Sequence, residues 1–302
     1  MKIPHVIPYQ GSKRKLAESI LRNVEGIDID TLYEPFSGSA AITLAAAAKG
    51  LANNYVLNDK YAPIMSLWDL IINEPELAAD RYEIIWSGQV PQSADSDVDA
   101  ISHSYKHFME IRKQFNQDDD PIKFLYLMAR CVKNAVRFNT NGEFNQSPDK
   151  RRKGTAPDKM RSNILGASSV LKGKSRLYSE DFKDITSKAT SNDLIYMDPP
   201  WQGTSTKKDT RYAFILQIDE LIAELQQLNN RNVPYILSFD GVCGDKSYGK
   251  DLPKHLNLKK TMLDAGRSSQ AILLGREDKT LESLYLSPAL SEKMESKALI
   301  AV

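Results

Sequence analysis

The 302-residue chain predicts an α/β fold, a doubly wound and mostly parallel sheet opened by a mainly helical insertion. Short apolar runs at Leu32-Tyr33, Tyr55-Val56-Leu57 and Leu194-Ile195-Tyr196-Met197 alternate with helical stretches, as in strands joined by crossover helices. From Tyr61 to about Leu171 the strand signal disappears and helical periodicity takes over. Two of the runs lead into rigid or small-residue corners, Ser37-Gly38-Ser39 and Pro199-Pro200, at the strand ends where open α/β sheets place their ligands.

Taken in order, periodicity and the Gly, Asn and Pro punctuation predict a helix over 13–24, a strand over 31–35, a helix over 40–49 and a strand over 54–58. Helices follow near 63–72, 76–87, 100–116 and 121–135. Strands return at 176–178, 193–197 and 235–239. Closing strands are expected at 256–262, 271–275 and 282–286, the last two as a hairpin. This divides the chain into a sheet-forming domain of residues 1–62 plus 175–302 and an inserted domain of 63–174. A chain of this length exceeds one ordinary compact unit and can bury a substantial core.

Composition narrows the class. No segment has the apolar length of a membrane span, and the N-terminus lacks a signal peptide's basic start and apolar run, so a cytoplasmic protein with no membrane partner is expected. The two cysteines, Cys131 and Cys243, form no CxxC or Cys/His cluster, which disfavours structural zinc and a disulfide framework. Both are expected to pack. His103 and His107 stand at helical spacing but lack a matching acid, so no metal site is expected. Net charge is only +1, yet its distribution is uneven. Residues 69–120 carry 12 acidic and 4 basic side chains, net −8, whereas 133–176 carry 11 basic and 3 acidic, net +8. Phosphate binding follows local Lys/Arg density, which is highest at Lys150-Arg151-Arg152-Lys153.

Asp198-Pro199-Pro200-Trp201 is the densest chemical signal. Each proline fixes its own φ and bars the preceding residue from helix, and neither donates a hydrogen bond. Asp198 and the Pro199 carbonyl therefore present acceptors in a stiff corner, suited to an amino group with two N–H donors. Trp201 adds a flat face for a planar ring. The second signal is Glu34-Pro35-Phe36-Ser37-Gly38-Ser39, a strand followed by a tight turn and a helix N-terminus, where a cofactor can approach backbone N–H groups. It lacks the glycines of a dinucleotide fingerprint and the Gly-Lys-Ser/Thr of a phosphate loop. Asp59, about 20 residues beyond the turn, ends the next strand where such folds hold a ribose hydroxyl. An adenosine-containing cofactor without a pyrophosphate fits this pattern.

Together with Ile7-Pro8-Tyr9-Gln10-Gly11-Ser12-Lys13-Arg14-Lys15-Leu16, Val136-Arg137-Phe138-Asn139, Gly142-Glu143-Phe144-Asn145 and Ser179-Glu180-Asp181-Phe182, these blocks resemble, in order, the Dam-like (D12 class) adenine-N6 DNA methyltransferases. Two departures are Ala40, where that family usually has a second turn glycine, and Trp201, where Tyr or Phe is commoner. The resemblance implies a Rossmann-like S-adenosyl-L-methionine-dependent methyltransferase sheet with an inserted DNA-recognition domain. It also implies transfer of a methyl group from S-adenosylmethionine to N6 of an adenine in double-stranded DNA. Tyr9, Gly11, Ser12 and Lys13 would then lie near the cofactor's methionine end. Glu34, Pro35, Phe36, Ser37, Gly38 and Ser39 would form the turn beneath it, Asp59 would take the ribose, and Asp181 and Phe182 the adenine. Asp198, Pro199, Pro200 and Trp201 would be catalytic, with Asp198 also facing the cofactor.

For DNA, Arg137, Asn139, Asn141, Gly142, Asn145, Lys150, Arg151, Arg152 and Lys153 are the expected contacts, and the acidic half of the insertion, with Trp68 and Trp86, the scaffold. Because the target amine cannot reach this corner while stacked, the base would be flipped out against Trp201. A monomer suffices. The product could serve a restriction-modification pair, with a cognate endonuclease acting on the same site, or mark a host or phage genome. RNA adenine, cytosine N4 and a catalytically silent DNA-binding relative are the alternatives.

Overall fold

The computed structural model describes residues 3–9, 11–91, 93, 96–200, 216–243, 246–248, 252–267 and 279–300. The chain divides into two compact units. One comprises Tyr61–Ser179 with the N-terminal residues up to Ser12, the other Lys13–Lys60 with the chain from Glu180 onward, apart from the segment 210–213. Strands run in chain order as β1 (Thr31–Glu34), β2 (Asn54–Asn58), β3 (Ser175–Tyr178), β4 (Leu194–Met197), β5 (Tyr235–Cys243), β6 (Lys246–Tyr248), β7 (Lys259–Arg267) and β8 (Lys279–Leu286). The helices are α1 (Ala17–Leu21), α2 (Ala41–Lys49), α3 (Ala62–Asn73), α4 (Pro75–Ser87), α5 (Asp97–Asp118), α6 (Pro121–Arg130), α7 (Pro157–Leu171), α8 (Phe182–Thr186), α9 (Ile218–Asn230) and α10 (Pro288–Ile300).

In the sheet unit the strands are ordered β2-β1-β4-β5-β8-β7, with β6 paired to β5. β1 is parallel to both β2 and β4, in registers that set Leu32 opposite Tyr55 and Leu194. β4 is parallel to β5, whereas β8 runs antiparallel to β5 and β7. All four residues of β1 and of β4 are buried, as strands covered on both faces must be. The alanine-rich α2 packs on β1 and β2 and α10 on β5. Asp193 ties the two central strands at their start, one carboxylate oxygen accepting from Thr31 N (3.0 Å) and the other from Thr190 N (2.8 Å). The chain reverses its direction of winding between β1 and β4, so the carboxyl ends of these neighbours, Glu34 and Asp198, flank the topological switch point.

The helical unit holds α3 to α7 around buried Trp68, Tyr82, Phe108, Phe115, Phe124, Tyr126 and Phe144. Phe115 and Phe124 stack at 5.0 Å between centroids. Ser96 caps α5 by accepting from Asp99 N (3.2 Å), and Asp120 caps α6 by accepting from Ile122 N (2.9 Å) and Lys123 N (3.1 Å). Proline opens α4, α6 and α7, where its missing N–H costs nothing. Arg161 of α7 joins Glu76, Asp80 and Glu83 of α4, which absorbs part of the acidic half's charge.

Several elements depart from the sequence expectation. The helix over 13–24 is broken into 3₁₀ turns at Lys13–Lys15 and Arg22–Val24 around the five-residue α1. The helix expected to 135 stops at Arg130, because Cys131 turns extended and pairs with Pro148 while Val132 N donates to Ser147 O (3.0 Å). α7 is a helix that periodicity did not single out. The closing strand expected from 256 starts at Lys259, because Leu256 ends a 3₁₀ turn and Asn257 takes φ +51°. The strand expected over 271–275 lies outside the described residues, so the antiparallel pair at this end is β7 with β8. Cys131 is buried and its thiol is pushed up to about 12 by burial, the state of a packing cysteine. The side chain of Cys243 lies outside the described residues.

Gly154 has φ +80°, and a Cβ there would come 3.1 Å from the Ala129 carbonyl oxygen. Gly154→Ala is expected to lower stability by about 1–2 kcal/mol, measured as the chemical-denaturation midpoint. An unchanged midpoint would show that this close approach does not constrain the loop.

Candidate active site and nucleic-acid face

The turn after β1 is held by the end of β2. Asn58 Nδ2 donates to Pro35 O (2.9 Å) and to Glu180 O (3.1 Å), while Asn58 Oδ1 accepts from Glu180 N (2.8 Å). Ser37 N donates to Asn58 O (2.8 Å) and Gly38 N to Asp59 Oδ2 (3.1 Å). One asparagine thus ties the turn to the stretch that opens α8. Both Gly38 (φ +45°) and Ala40 (φ +47°) are left-handed, so the position where a second glycine was expected does need glycine-like backbone and carries it on Ala40 at a cost of about 1 kcal/mol. A Cβ on Gly38 would meet nothing within 4 Å, so open space lies above the turn.

Glu34 closes β1 and is 3% exposed. Its Oε2 accepts from Thr43 N (3.0 Å) and Thr43 Oγ1 (2.5 Å) at the start of α2. Burial raises its carboxyl to about 8, against those two hydrogen bonds and with a contribution from Asp198. Burial therefore favours the neutral acid. Phe36 and Phe182 lie against one another at 5.2 Å between centroids, tilted by 31°. Asp181 caps α8 through Lys183 N (3.2 Å) and pairs with Lys60 Nζ (3.1 Å). Burial opposes ionisation of this carboxyl, but the Lys183 amide and Lys60 outweigh it and hold it below the usual aspartate range.

At the end of β4 Asp198 is 21% exposed and faces Lys13, whose Nζ is 3.0 Å from Asp198 Oδ1 and 3.3 Å from Glu282 Oε2 on β8. Burial pulls the Lys13 ammonium toward neutrality, but the two carboxylates more than offset it and raise it above the ordinary lysine value. Burial raises the Asp198 carboxyl above its ordinary value and Glu282 adds to that, with Lys13 opposing both. Beneath, Tyr196 shares a hydrogen bond with Ser238 Oγ (2.9 Å). Pro199 is buried and Pro200 half-buried. Trp201 lies outside the described residues. Of the N-terminal block, Lys13 belongs to the sheet unit, whereas Tyr9, Gly11 and Ser12 group with the helical unit, where Ser12 N donates to Tyr9 O (3.2 Å) and Gly11 has φ +89°.

In the helical unit, Arg137 to Asn145 forms a tight antiparallel loop. Phe138 pairs with Phe144, Asn145 N donates to Arg137 O (2.8 Å), and Gly142 turns the chain at φ +81°. Asn139 is committed to the loop: its Oδ1 accepts from Asn141 N (2.9 Å) and Glu143 N (3.0 Å), and its Nδ2 donates to Glu143 Oε2 (2.6 Å). Asn139 thus shapes the loop, while Arg137, Asn141 and Asn145 are exposed on it. The next segment is fastened by its main chain. Trp86 Nε1 (2.9 Å) and Gln89 Nε2 (3.0 Å) both donate to Lys153 O, and Tyr82 OH donates to Thr155 O (2.7 Å). Buried Arg130 donates to Gln89 Oε1 (2.9 Å), Ser104 Oγ (2.9 Å) and the Asp149 carbonyl. The side chains of Lys150, Arg151, Arg152 and Lys153 remain exposed, Arg152 pairing with Asp149 (2.8 Å).

Trp68 is in the core, but Trp86, expected there too, is half-buried at the end of α4 and acts as a tether. His103 Nε2 (2.9 Å to Gly88 O) and His107 Nε2 (2.7 Å to Ile85 O) cap the carbonyl end of α4. Among the described residues no group of His, Cys, Asp and Glu is placed to hold a metal, and no helix is long and apolar enough to cross a membrane.

A profile of the D12 class N6 adenine-specific DNA methyltransferases matches residues 9–262, from the N-terminal block through the acid corner and into β7. The chain belongs to that family. It is 24% identical over 243 residues to the DNA adenine methylase of Escherichia coli K12, covering 77% of this chain and 79% of that one. Against the DNA adenine methylase of Serratia marcescens it is 24% identical over 280 residues, covering 89% and 93%. Against modification methylase StsI of Streptococcus sanguinis it is 27% identical over 198 residues, 64% of this chain but only 28% of that protein. The family member described here is an adenine-specific DNA methyltransferase, with DNA as substrate and a methyl donor as co-substrate. Sequence reasoning missed Asn58 and Thr43 as supports and Glu282 altogether; Glu282 lies beyond the matched residues and carries no local signal.

Glu34 gives a pH prediction. Its carboxyl is raised in the folded state, so its stabilising contribution is full below about 4.5 and is lost as pH rises through about 8. Stability of the cofactor-free protein is expected to fall across that window by up to about 1.4 kcal/mol per pH unit, and Glu34→Gln to flatten the slope in urea titrations. A wild-type profile without this decline would show Glu34 ionised in the folded protein.

Proposed function

We propose that the enzyme transfers the methyl group of S-adenosyl-L-methionine to N6 of an adenine flipped out of double-stranded DNA, with Asp198 as the acceptor that activates the amine. The observation that carries this reading is the Asp198 carboxylate, stationed at the switch point, stiffened by Pro199 and Pro200 and charge-paired with Lys13 at 3.0 Å. The open space above Gly38, the buried acid Glu34 and the ring pair Phe36/Phe182 suit a nucleoside-bearing cofactor. Lys13, Glu34, Pro35, Phe36, Ser37, Gly38, Ser39, Asp59, Asp181 and Phe182 would hold it, together with Tyr9, Gly11 and Ser12. When bound it supplies an electrophilic methyl group on a sulfonium.

The exocyclic nitrogen of adenine is a poor nucleophile because its lone pair is delocalised into the ring. Asp198 Oδ and Pro199 O accept its two N–H groups, localise the lone pair and aim it in line. Methylation would leave the nitrogen with a surplus proton, and the Asp198 carboxylate, already accepting from that N–H, would take it. The fixed carboxylate stabilises the positive charge that grows on nitrogen. Trp201 stacks on the flipped ring. The exposed Arg137, Asn141, Asn145 and Lys150 to Lys153 side chains contact the duplex, with Asn139 and Gly142 shaping the loop. The cytoplasm is the compartment where such an enzyme meets DNA. There it marks a genome or protects it from a restriction endonuclease of the same specificity.

Asp198→Ala is expected to cut methyl transfer by about 10²-fold or more while S-adenosylmethionine still binds in calorimetry; retained turnover would remove Asp198 from the mechanism. Replacing Lys150, Arg151, Arg152 and Lys153 by Ala is expected to weaken DNA binding and lower the slope of log affinity against log salt by about 3. That is fewer than four phosphates' worth, because Arg152 is already paired with Asp149. A slope equal to wild type would place the footprint elsewhere.

A further inference from the structure

Lys13 serves two carboxylates, Asp198 at the end of β4 and Glu282 on β8, at 3.0 and 3.3 Å. An acceptor already occupied by an ammonium is not ready for an amine, because lysine N–H groups take lone pairs that the incoming N–H groups need. The cation has to be shared or drawn aside. Glu282 is placed to draw it. It pairs across to Gly241 of β5, at the far side of a register shift between Ser238 and Gly241, and to Leu263 of β7. Such irregularities re-aim side chains near a sheet's working edge.

The charge balance leads the same way. Lys13 and Asp198 alone sum to zero, whereas Lys13, Asp198 and Glu282 sum to −1. Burial of Glu34, another nearby carboxyl among the described residues, favours its neutral form. Among the described residues, a site that must stabilise positive charge growing on nitrogen is thus negative on account of Glu282. We propose that Glu282 is a positioning residue for methyl transfer: it holds the Lys13 ammonium off Asp198 as the amine enters and keeps the corner net negative. This rests on Asp198 being the amine acceptor.

Among the described residues, the charged and titratable groups coupled to Asp198 are Lys13 of the first 3₁₀ turn, Glu282 of β8, Glu34 of β1 and Tyr196 of β4. Removing the Glu282 charge leaves Lys13 to Asp198 alone, which lowers the Asp198 pKa and weakens it as an acceptor. The test compares wild type, Glu282→Gln, Glu282→Asp and Asp198→Asn in single-turnover transfer to DNA against pH, with S-adenosylmethionine affinity from calorimetry and folding from thermal melts. Glu282→Gln is expected to slow transfer by about 10-fold or more, the effect of a unit charge a few ångströms away in a partly buried site. Cofactor affinity should stay within about two-fold, the acid limb of the rate profile should move to lower pH, and Glu282→Asp should recover part of the rate.

A packing role would lower the melting temperature and leave the acid limb in place, which would overturn the proposal. Wild-type rate and acid limb in Glu282→Gln beside an inactive Asp198→Asn would overturn it and leave Asp198 as the acceptor. Turnover by Asp198→Asn would remove both. Should Glu282→Gln not fold, the carboxyl-carbon NMR titration of Asp198 in Glu282→Asp decides: a pKa below wild type supports the proposal, and an unchanged one overturns it.

Discussion

A carboxylate held in a largely buried corner needs a cation, and Lys13 provides it from a chain segment far from the strand it serves. The Asp198 side chain is presented by β4 and stiffened by two prolines, but burial favours its neutral form. An unpaired buried charge would neutralise itself by shifting its pKa. The ammonium 3.0 Å away opposes that shift and favours the anionic carboxylate. The break of the first helix into a 3₁₀ turn at Lys13–Lys15 belongs to the same arrangement, since the turn carries the lysine that the corner depends on.

Around this pair the sheet unit repeats one device, in which polar side chains hold backbone in place so that reactive groups have fixed positions. Asn58 satisfies main-chain groups of two connections at once. Thr43 anchors Glu34, and Asp193 locks the starts of β1 and β4. These bonds are buried or half-buried, where leaving a partner unmet costs more than making the bond gains. They convert a small-residue turn and an acid corner, each weak by itself, into a rigid edge.

The helical unit solves a different problem with the same means. Four adjacent cations at Lys150 to Lys153 repel one another, and nothing in their own sequence would give them a fixed path. The segment is fastened from behind at the carbonyls of Asp149, Lys153 and Thr155, which accept from Arg130, from Trp86 and Gln89, and from Tyr82, while the charged side chains of Lys150 to Lys153 are exposed. Ordering the loop before any nucleic acid arrives reduces the entropy that binding would otherwise have to overcome.

Strand and helix identity around the site was legible in the sequence, because period-2 and period-3.6 patterns, glycine turns and a Pro-Pro corner are local properties of the chain. β1, β2 and β4, with α2 between the first two, fall within a residue or two of where they were expected, and so do the acid corner and the turn. The family was legible for the same reason, since its blocks are short and ordered along the chain. The length of α6 was not, because its end is set by pairing of Cys131 with Pro148, a contact across 17 residues that no local pattern encodes. Nor was the part played by Trp86, which looks like any core tryptophan until the Lys153 carbonyl is brought to its indole. Glu282 is the extreme case: an acid in an otherwise ordinary strand, 84 residues past Asp198, becomes the second partner of Lys13 only when β8 closes on β5. The sequence by itself determined which groups the chain possesses and the elements that carry them. Only the tertiary structure decided which charges share a cation, because electrostatic partnership depends on distance and burial in space rather than on separation along the chain.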